Sequence, residues 1–406
     1  MVNATEVSDE AGRLRAAMVE AWPPLSERVD RAMRALPRER FLPGVPLERA
    51  YADDIITTHR DTDGTVLSCT TLPSCVATML ERLDVRPGHR VLEIGAGTGI
   101  NAALLAHLAG PDGHVTTIDV LPDAADRARR HLVGAGYANV EVICGDGADG
   151  HLPGAPYDRI IVTAGAWDIP PAWTQQAAPD ARMVIPLRIA GFTHEVTLHR
   201  GQQPGGPLWT SSHSRLSGFI KMRGDGHHGE RDVPIVAGGQ SELRVEADLT
   251  LDQAALVRAT SGPPARRWTG VRTADLRLPG LEFWLARPGG LCRLINRRPG
   301  HGLAPATGQG GSLAVLHPTG DTFAYLTLGP AQDGDTKREL GVYAYGAHSD
   351  LLADQVAAQI QEWGAEQAPA ATSIEIHPAE APTPSLDEAL LTVAKDHTQI
   401  VVRTSR

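Results

Sequence analysis

RVLEIGAGTGINAALLA, residues Arg90 to Ala106, is the stretch whose reading decides the fold. A short apolar strand breaks into a glycine-rich turn and then into an alanine- and leucine-rich helix. Gly95, Gly97 and Gly99 form a GxGxG pattern, in which missing Cβ atoms let the backbone turn tightly and approach a ligand closely. About twenty residues on, VTTIDV (Val115 to Val120) reads as a second strand ending in an acid, Asp119, spaced to hold the two hydroxyls of a ribose. VEVICGDGADG (Val140 to Gly150) reads as a third, ending at Asp146 and Gly147.

The position three after Gly97 is Ile100, so the GxGxxG spacing of a dinucleotide site is not met, and no Walker lysine-serine pair follows. Pyrophosphate is therefore disfavoured. Glu93 before the turn, Asp119 for a ribose and Asp146 near an adenine edge suit a cationic nucleoside, S-adenosyl-L-methionine, better than a polyphosphate. The expected cofactor set is Glu93, Gly95, Ala96, Gly97, Gly99, Asp119, Val120, Asp146, Gly147 and Ala148. The competing reading makes these packing glycines and strand-end turn acids.

LPRERFLP (Leu36 to Pro43), AYADD (Ala50 to Asp54) and TTLPSCVATMLERLDVRPGHRVLEIGAGTG (Thr70 to Gly99) precede and contain the turn. GYANVEVICGDGADG (Gly136 to Gly150), APYDRIIVTAGAWDIPPAW (Ala155 to Trp173) and ARMVIPL (Ala181 to Leu187) follow it. In content and order these blocks resemble the protein-L-isoaspartate O-methyltransferase family, across roughly residues 10 to 225. The resemblance implies an α/β fold, a Rossmann-like class I S-adenosylmethionine-dependent methyltransferase domain. It also implies carboxyl O-methylation of a peptide or protein bearing an aspartate or isoaspartate. Thr71 falls where the family carries a serine or threonine close to the transferred methyl, making it the expected catalytic residue, with Cys69 and Thr70 just before it and Thr70 a substrate contact. The bland alternative is that Thr71 N-caps the following helix. A carboxylate with a pKa of about 4 is already a nucleophile at neutral pH, so no strong general base is required.

Simple repair enzymes of the family resemble only the N-terminal half of this chain. The longer architecture looks like the extended actinobacterial homologues that tailor ribosomally made peptides, among them lanthipeptide and graspetide enzymes. In that group a normal aspartate side chain of a macrocycle is methylated, the ester cyclises to aspartimide, and hydrolysis leaves isoaspartate. Two departures from the repair pattern accompany this. THRDTDGTVLSC, between Asp53 and Thr71, is several residues longer than the compact loop of the repair enzymes, and in SGFIKM (Ser217 to Met222) Lys221 replaces a proline. Arg60, Lys221 and Arg223 are candidates to contact an acidic peptide, against the alternative of solvated surface charges. General repair of isoaspartate, and a cofactor- or peptide-binding module without turnover, stand as competing functions.

An amine acceptor is disfavoured because VTAGAWDIPP separates Asp168 from Pro170 and Pro171, breaking the Asn/Asp-Pro-Pro-aromatic pattern. A net charge of −10 with no long Lys/Arg run argues against nucleic acid. His227 and His228, or Cys69 and Cys75, lack usual zinc spacing, so no metal is expected. Four scattered cysteines make no disulfide framework, and the lack of a long apolar run or signal-like start leads to the expectation of a cytoplasmic enzyme off the membrane.

At 406 residues and 42% hydrophobic content the chain is long enough for two or three domains. Residues 1–228 are expected to form the catalytic domain and 229–406 an α+β domain for peptide recognition. In the first, Ala11 to Leu36 reads as a polar helical region, residues 75 to 190 as alternating strands and helices of a parallel sheet, HEVTLHR as a strand, RGQQPGGPLW as a hairpin connection and SRLSGFIKMRG as a last strand. In the second, ELRVEAD, LEFWLA, CRLINR, SLAVLH and TFAYLTLG read as strands. His348 to Glu366 reads as a helix with a core face, TSIEIHPA as an edge strand and TQIVVRTS as another.

Overall fold

The computed structural model describes residues 4–137, 139–202, 205–274, 278–296, 302–303, 311–330, 336–365, 372–383 and 389–404. Ala138, Gln203, Pro204, Arg297, Glu366 and Ser405, which fall inside expected elements, lie outside them. The chain divides into two compact units, Met1–Leu187 with Thr193–His227, and Arg188–Phe192 with His228–Arg406.

The first unit opens with α1 (Ala4–Glu20), α2 (Glu27–Ala35), α3 (Leu47–Ala50) and a hairpin of β1 (Ile56–Arg60) and β2 (Val66–Thr70). An alternating series follows: α4 (Pro73–Leu83), β3 (Arg90–Ile94), α5 (Ile100–Ala109), β4 (His114–Asp119), α6 (Pro122–Ala135), β5 (Val140–Cys144), β6 (Tyr157–Val162) and α7 (Pro171–Gln175). It closes with β7 (Ala177–Ile189), β8 (Phe192–Arg200) and β9 (Trp209–Leu216). The strands lie in the order β5-β4-β3-β6-β7-β8-β9. β5 to β7 are parallel and β8 pairs antiparallel with β9.

Local sequence accounts for the layers. In β3, Val91, Leu92, Glu93 and Ile94 are all buried, the near-continuous burial of a parallel strand covered on both faces. α5 is apolar almost all round and buries eight of its ten residues, as a helix sandwiched between layers does. α6 buries only the stripe Ala124, Ala125, Ala128 and Leu132, and stops at Gly136 in the left-handed conformation. This topology sets Gly95, Asp119, Asp146 and Thr163 just beyond the carboxyl ends of β3, β4, β5 and β6, the side on which open α/β sheets bind ligands.

The second unit contains β10 (Glu230–Pro234), β11 (Ser241–Glu246), α8 (Gln253–Ala259), β12 (Ala265–Thr273), α9 (Leu281–Ala286), β13 (Leu291–Asn296), β14 (Ser312–Leu316), β15 (Phe323–Leu328), β16 (Arg338–Tyr345), α10 (Ser349–Ala365), β17 (Thr372–Pro378), β18 (Leu391–Ala394) and β19 (Thr398–Thr404). A seven-stranded sheet runs β10-β11-β13-β14-β15-β16-β12, and α10 packs on β12, β15 and β16. Phe323, Tyr325 and Tyr345 stack within it.

Several expectations are corrected. LEFWLA is the helix α9, entered through Gly280 in the left-handed conformation and buried at all six positions, Glu282 included; a short, largely apolar run does not distinguish strand from helix. The strand expected over SRLSGFIKMRG ends at Leu216, and beyond it only Lys221 forms a bridge, to Gly165. TQIVVRTS is the central strand of its trio, paired with both β17 and β18, which explains the burial of Thr398 to Val402. THRDTDGTVLSC is a β-hairpin rather than a loop, with Gly64 at φ 88° in its turn.

Candidate active site

The glycine turn is strained open in the way its sequence requires. Gly95, Gly97 and Gly99 have φ of 102°, 54° and 87°, values that L-residues with a Cβ seldom adopt. A Cβ on Gly95 would sit 2.3 Å from Thr163 Oγ1. That hydroxyl is itself committed, its one proton shared between the carbonyls of Ile94 and Gly95, each 2.9 Å away. Asp119 braces the turn from the neighbouring strand: its Oδ2 accepts from Gly97 N at 2.9 Å and its Oδ1 from Leu121 N at 3.0 Å.

Glu93 lies beneath the turn rather than on its surface. It is 0% exposed, with Oε1 accepting from Asn101 Nδ2 at 2.7 Å and Oε2 from the Thr117 hydroxyl at 2.6 Å. Burial pushes its carboxyl up to about 7 against the pull of those two hydrogen bonds, and Asp119 raises it further. These bonds tie Glu93 of β3 to Asn101 of α5 and Thr117 of β4.

Asp146 caps the short turn after β5, its Oδ1 accepting from Ala148 N at 2.8 Å, while its Oδ2 accepts from Asp225 N at 2.7 Å. Gly147 O receives the indole N–H of buried Trp173 at 2.8 Å, and Ile94 fills the space a Cβ on Gly147 would need. Ala96 is buried in the turn, whereas Val120 is exposed.

Thr71 follows β2 directly. The N-cap of α4 is Leu72, which makes no side-chain cap bond, and Pro73 occupies the first helical turn. The capping alternative for Thr71 is therefore not met; Ser74 N is bonded instead by Asp53 Oδ1 at 2.9 Å. One cavity brings Thr70 and Thr71 together with Gly95, Ala96, Gly97 and Thr98, and further along its wall with Arg38, Asn101, Thr163 and Phe219. Arg60, Lys221 and Arg223 do not line it. The Arg60 guanidinium donates to Gly64 O at 2.9 Å across the β1–β2 turn, and Arg223 is half-buried, its charge acting on Asp63 of that same turn.

Sequence reasoning missed Arg38, Asn101, Thr163 and Phe219 as wall residues. All four stood inside quoted stretches, but nothing local marked them as facing the glycine turn. As for metals, burial pushes the Cys69 thiol up, and the Cys75 thiol up to about 11 with further help from Glu195, so both favour the protonated form. Two unforeseen trios, His317 with Asp321 and His348, and His228 with Glu246 and Asp248, gather ligand atoms within 4.8 Å of one another.

A parallel sheet with a glycine-rich first turn and acids at the ends of its next two strands defines a class I S-adenosylmethionine-dependent methyltransferase. The description of the family Protein-L-isoaspartate(D-aspartate) O-methyltransferase matches residues 22–204. The protein-L-isoaspartate O-methyltransferase of Methanopyrus kandleri is 47% identical over 163 residues, 40% of this chain and 70% of that protein. Its counterpart in Methanothermobacter thermautotrophicus is 40% identical over 190 residues, 47% of this chain and 85% of that protein. A solved protein-L-isoaspartate O-methyltransferase superposes with a TM-score of 0.49 at 20% identity, covering 83% of this chain and 87% of its own. The chain belongs to the protein-L-isoaspartate O-methyltransferase family, whose members are S-adenosylmethionine-dependent carboxyl methyltransferases. No described helix is long and apolar enough to cross a membrane.

Proposed function

We propose that the chain methylates an aspartyl-type carboxylate held beside Thr71, and that its acceptor is a dedicated, ribosomally made and macrocyclic peptide whose methyl ester closes to an aspartimide. The observation that carries the reading is the single cavity in which Thr70 and Thr71 meet the glycine turn Gly95–Thr98. The residues around it fit the donor: a Cβ on Gly97 would meet nothing nearer than Ser68 Oγ at 3.9 Å, so the turn is open at that point, and Asp119 presents a carboxylate braced by Gly97 and Leu121.

S-adenosylmethionine supplies, when bound, a methyl group on a sulfonium that leaves as a neutral thioether with the carbon–sulfur electron pair. The chain's part is positional. Thr71 directs the acceptor carboxylate by donating its hydroxyl proton to the oxygen that does not attack, leaving the other in line with the methyl carbon. Asp119 holds the ribose and the turn in register, and Asp146 with Gly147 and Ala148 sets the adenine edge. Methyl transfer to an ionised carboxylate forms one O–C bond without releasing a proton, so no side chain acts as general base. In the later ring closure the following backbone amide nitrogen attacks the ester carbonyl, loses its proton and expels methanol.

The dedicated peptide is supported by the second unit, by the β1–β2 hairpin leading into Thr70, and by Lys221 at a position where the repair pattern has proline. Repair of isoaspartate is the second reading, supported by the relatives being protein-L-isoaspartate O-methyltransferases and by a family match confined to residues 22–204. Mass spectrometry of an isoaspartyl peptide and of a cyclised aspartate-bearing peptide, each with enzyme and S-adenosylmethionine, decides between them. A gained methyl followed by net loss of water on the cyclic peptide alone sustains the proposal. Turnover of the isoaspartyl peptide alone replaces it with repair.

A further inference from the structure

Three polar atoms in the wall of the Thr70–Gly97 cavity are buried and have no hydrogen-bond partner among the described residues: Arg38 Nη2, Thr70 Oγ1 and Asn101 Oδ1. Buried polar groups are nearly always paired, because each one left unmade costs its full desolvation. Three in one wall mark a place built for something polar that enters from outside.

Their chemistry says what enters. Arg38 is 2% exposed and its Nε is spent on Ala50 O at 2.9 Å, which fixes the plane of the guanidinium and aims the fork. Burial pulls its pKa down to about 10, so the group stays cationic at neutral pH. Its electrostatic neighbours are Tyr51 and Asp53, and the Asp53 carboxylate already accepts from Ser74 N. Thr70 is 7% exposed and its hydroxyl can donate. A cationic N–H and a free hydroxyl in the wall of one cavity suit a carboxylate, which accepts at both oxygens and neutralises the buried charge. Asn101 Oδ1 is an acceptor only, held by its own amide nitrogen against Glu93 at 2.7 Å, and it favours a carboxylate that carries an ammonium or amide N–H beside it.

We propose that Arg38 and Thr70 form a carboxylate anchor inside the active cavity. Two reactants of the proposed transfer carry such a group: the amino-acid end of the methyl donor and the acceptor itself. The inference rests on the methyl-transfer reading and deepens it.

The test uses the full-length chain and its Thr70→Val, Arg38→Lys and Arg38→Gln variants. Calorimetry measures S-adenosylhomocysteine and 5′-methylthioadenosine, which share nucleoside and thioether but differ in the amino-acid end. KM is measured for whichever peptide is turned over. If the anchor holds the donor, the variants lose about tenfold or more in S-adenosylhomocysteine affinity and keep methylthioadenosine affinity. If it holds the acceptor, both nucleosides bind as before and KM for the peptide rises about tenfold with a smaller change in kcat. Affinities and KM all within twofold of wild type overturn the anchor.

Thr70→Val keeps the test sharp should the Arg38 variants fail to fold. It deletes a hydroxyl that satisfies nothing in the free protein, so the unliganded melting temperature is expected to hold or rise. A fall in that temperature with unchanged ligand affinity shows a structural hydroxyl and defeats the proposal. Wild-type protein that binds neither nucleoside defeats the methyl-transfer reading itself, a different result from intact binding that ignores Arg38 and Thr70.

Discussion

Asp146 Oδ2 accepts a hydrogen bond from the backbone N–H of Asp225 at 2.7 Å, tying the end of β5 to the turn Gly224–Gly226. Under the proposed function this oxygen is the one an adenine amino group would seek. Gly224 makes the approach possible, since a Cβ there would stand 2.1 Å from the same oxygen. Donor binding is therefore expected to displace the Asp225 amide and quicken its hydrogen–deuterium exchange, while the Ala148 amide, bonded to Oδ1, stays protected. Unchanged exchange at Asp225 in the presence of S-adenosylhomocysteine would place the adenine elsewhere.

Gly95→Ala is expected to fail for two separable reasons, its φ of 102° and the 2.3 Å approach to Thr163 Oγ1. Backbone strain of this kind costs about 1–3 kcal/mol. Adding Thr163→Ala removes the collision but not the strain. The double variant should thus recover part of the melting temperature lost by Gly95→Ala; no recovery would show that Thr163 is not the obstacle.

Glu93 gives a pH dependence whose sign follows from its buried carboxyl. Its folded value is raised to about 7 from the ordinary 4.5, so between those values the folded state binds more protons than the unfolded one. Its contribution to stability is greatest below the unfolded value and is lost as pH rises towards about 7. Glu93→Gln removes that loss. The variant is expected to gain on wild type by about 1–3 kcal/mol between pH 5 and pH 8 in urea unfolding. Parallel stability curves for the two proteins would show that Glu93 ionises normally.

Glu195 is wholly buried in β8 and paired with Arg82 and with Arg215, the latter at 2.7 Å. Arg82→Met leaves Arg215 as the remaining partner, so the loss should be about 1–3 kcal/mol, below the roughly 3–5 kcal/mol of a buried carboxylate stripped of its only partner. Denaturant titration of Arg82→Met, Arg215→Met and the double variant measures it. Strict additivity of the two single losses would contradict a shared carboxylate.

What was legible in the sequence was what local physics dictates. The turn at Gly95–Gly99 announces itself through glycines at positive φ, and Asp119 through its place at the end of the next strand. Arg38 was not legible, because its role depends on Ala50 and on a glycine turn far along the chain. LEFWLA misled because six residues with apolar side chains at all but Glu282 fit either period, and Gly280, left-handed at its entrance, opens the helix. The β1–β2 hairpin carried its signal in Asp63-Gly64, a pair that favours a tight turn between strands, yet the polar residues around it read as loop. Glu93 shows a subtler gap. Sequence places an acid before the turn, but only packing reveals that its two oxygens accept from Thr117 and Asn101.

The central claim is that the glycine turn and Asp119 form the methyl-donor site, and a calorimetric titration of S-adenosylhomocysteine into wild-type and Asp119→Ala protein tests it most directly. Saturable one-to-one binding to wild type is expected, with a loss of about a hundredfold or more in the variant, which forfeits charge-assisted bonds to the ribose and the brace on Gly97. Equal affinity in the two proteins would contradict it.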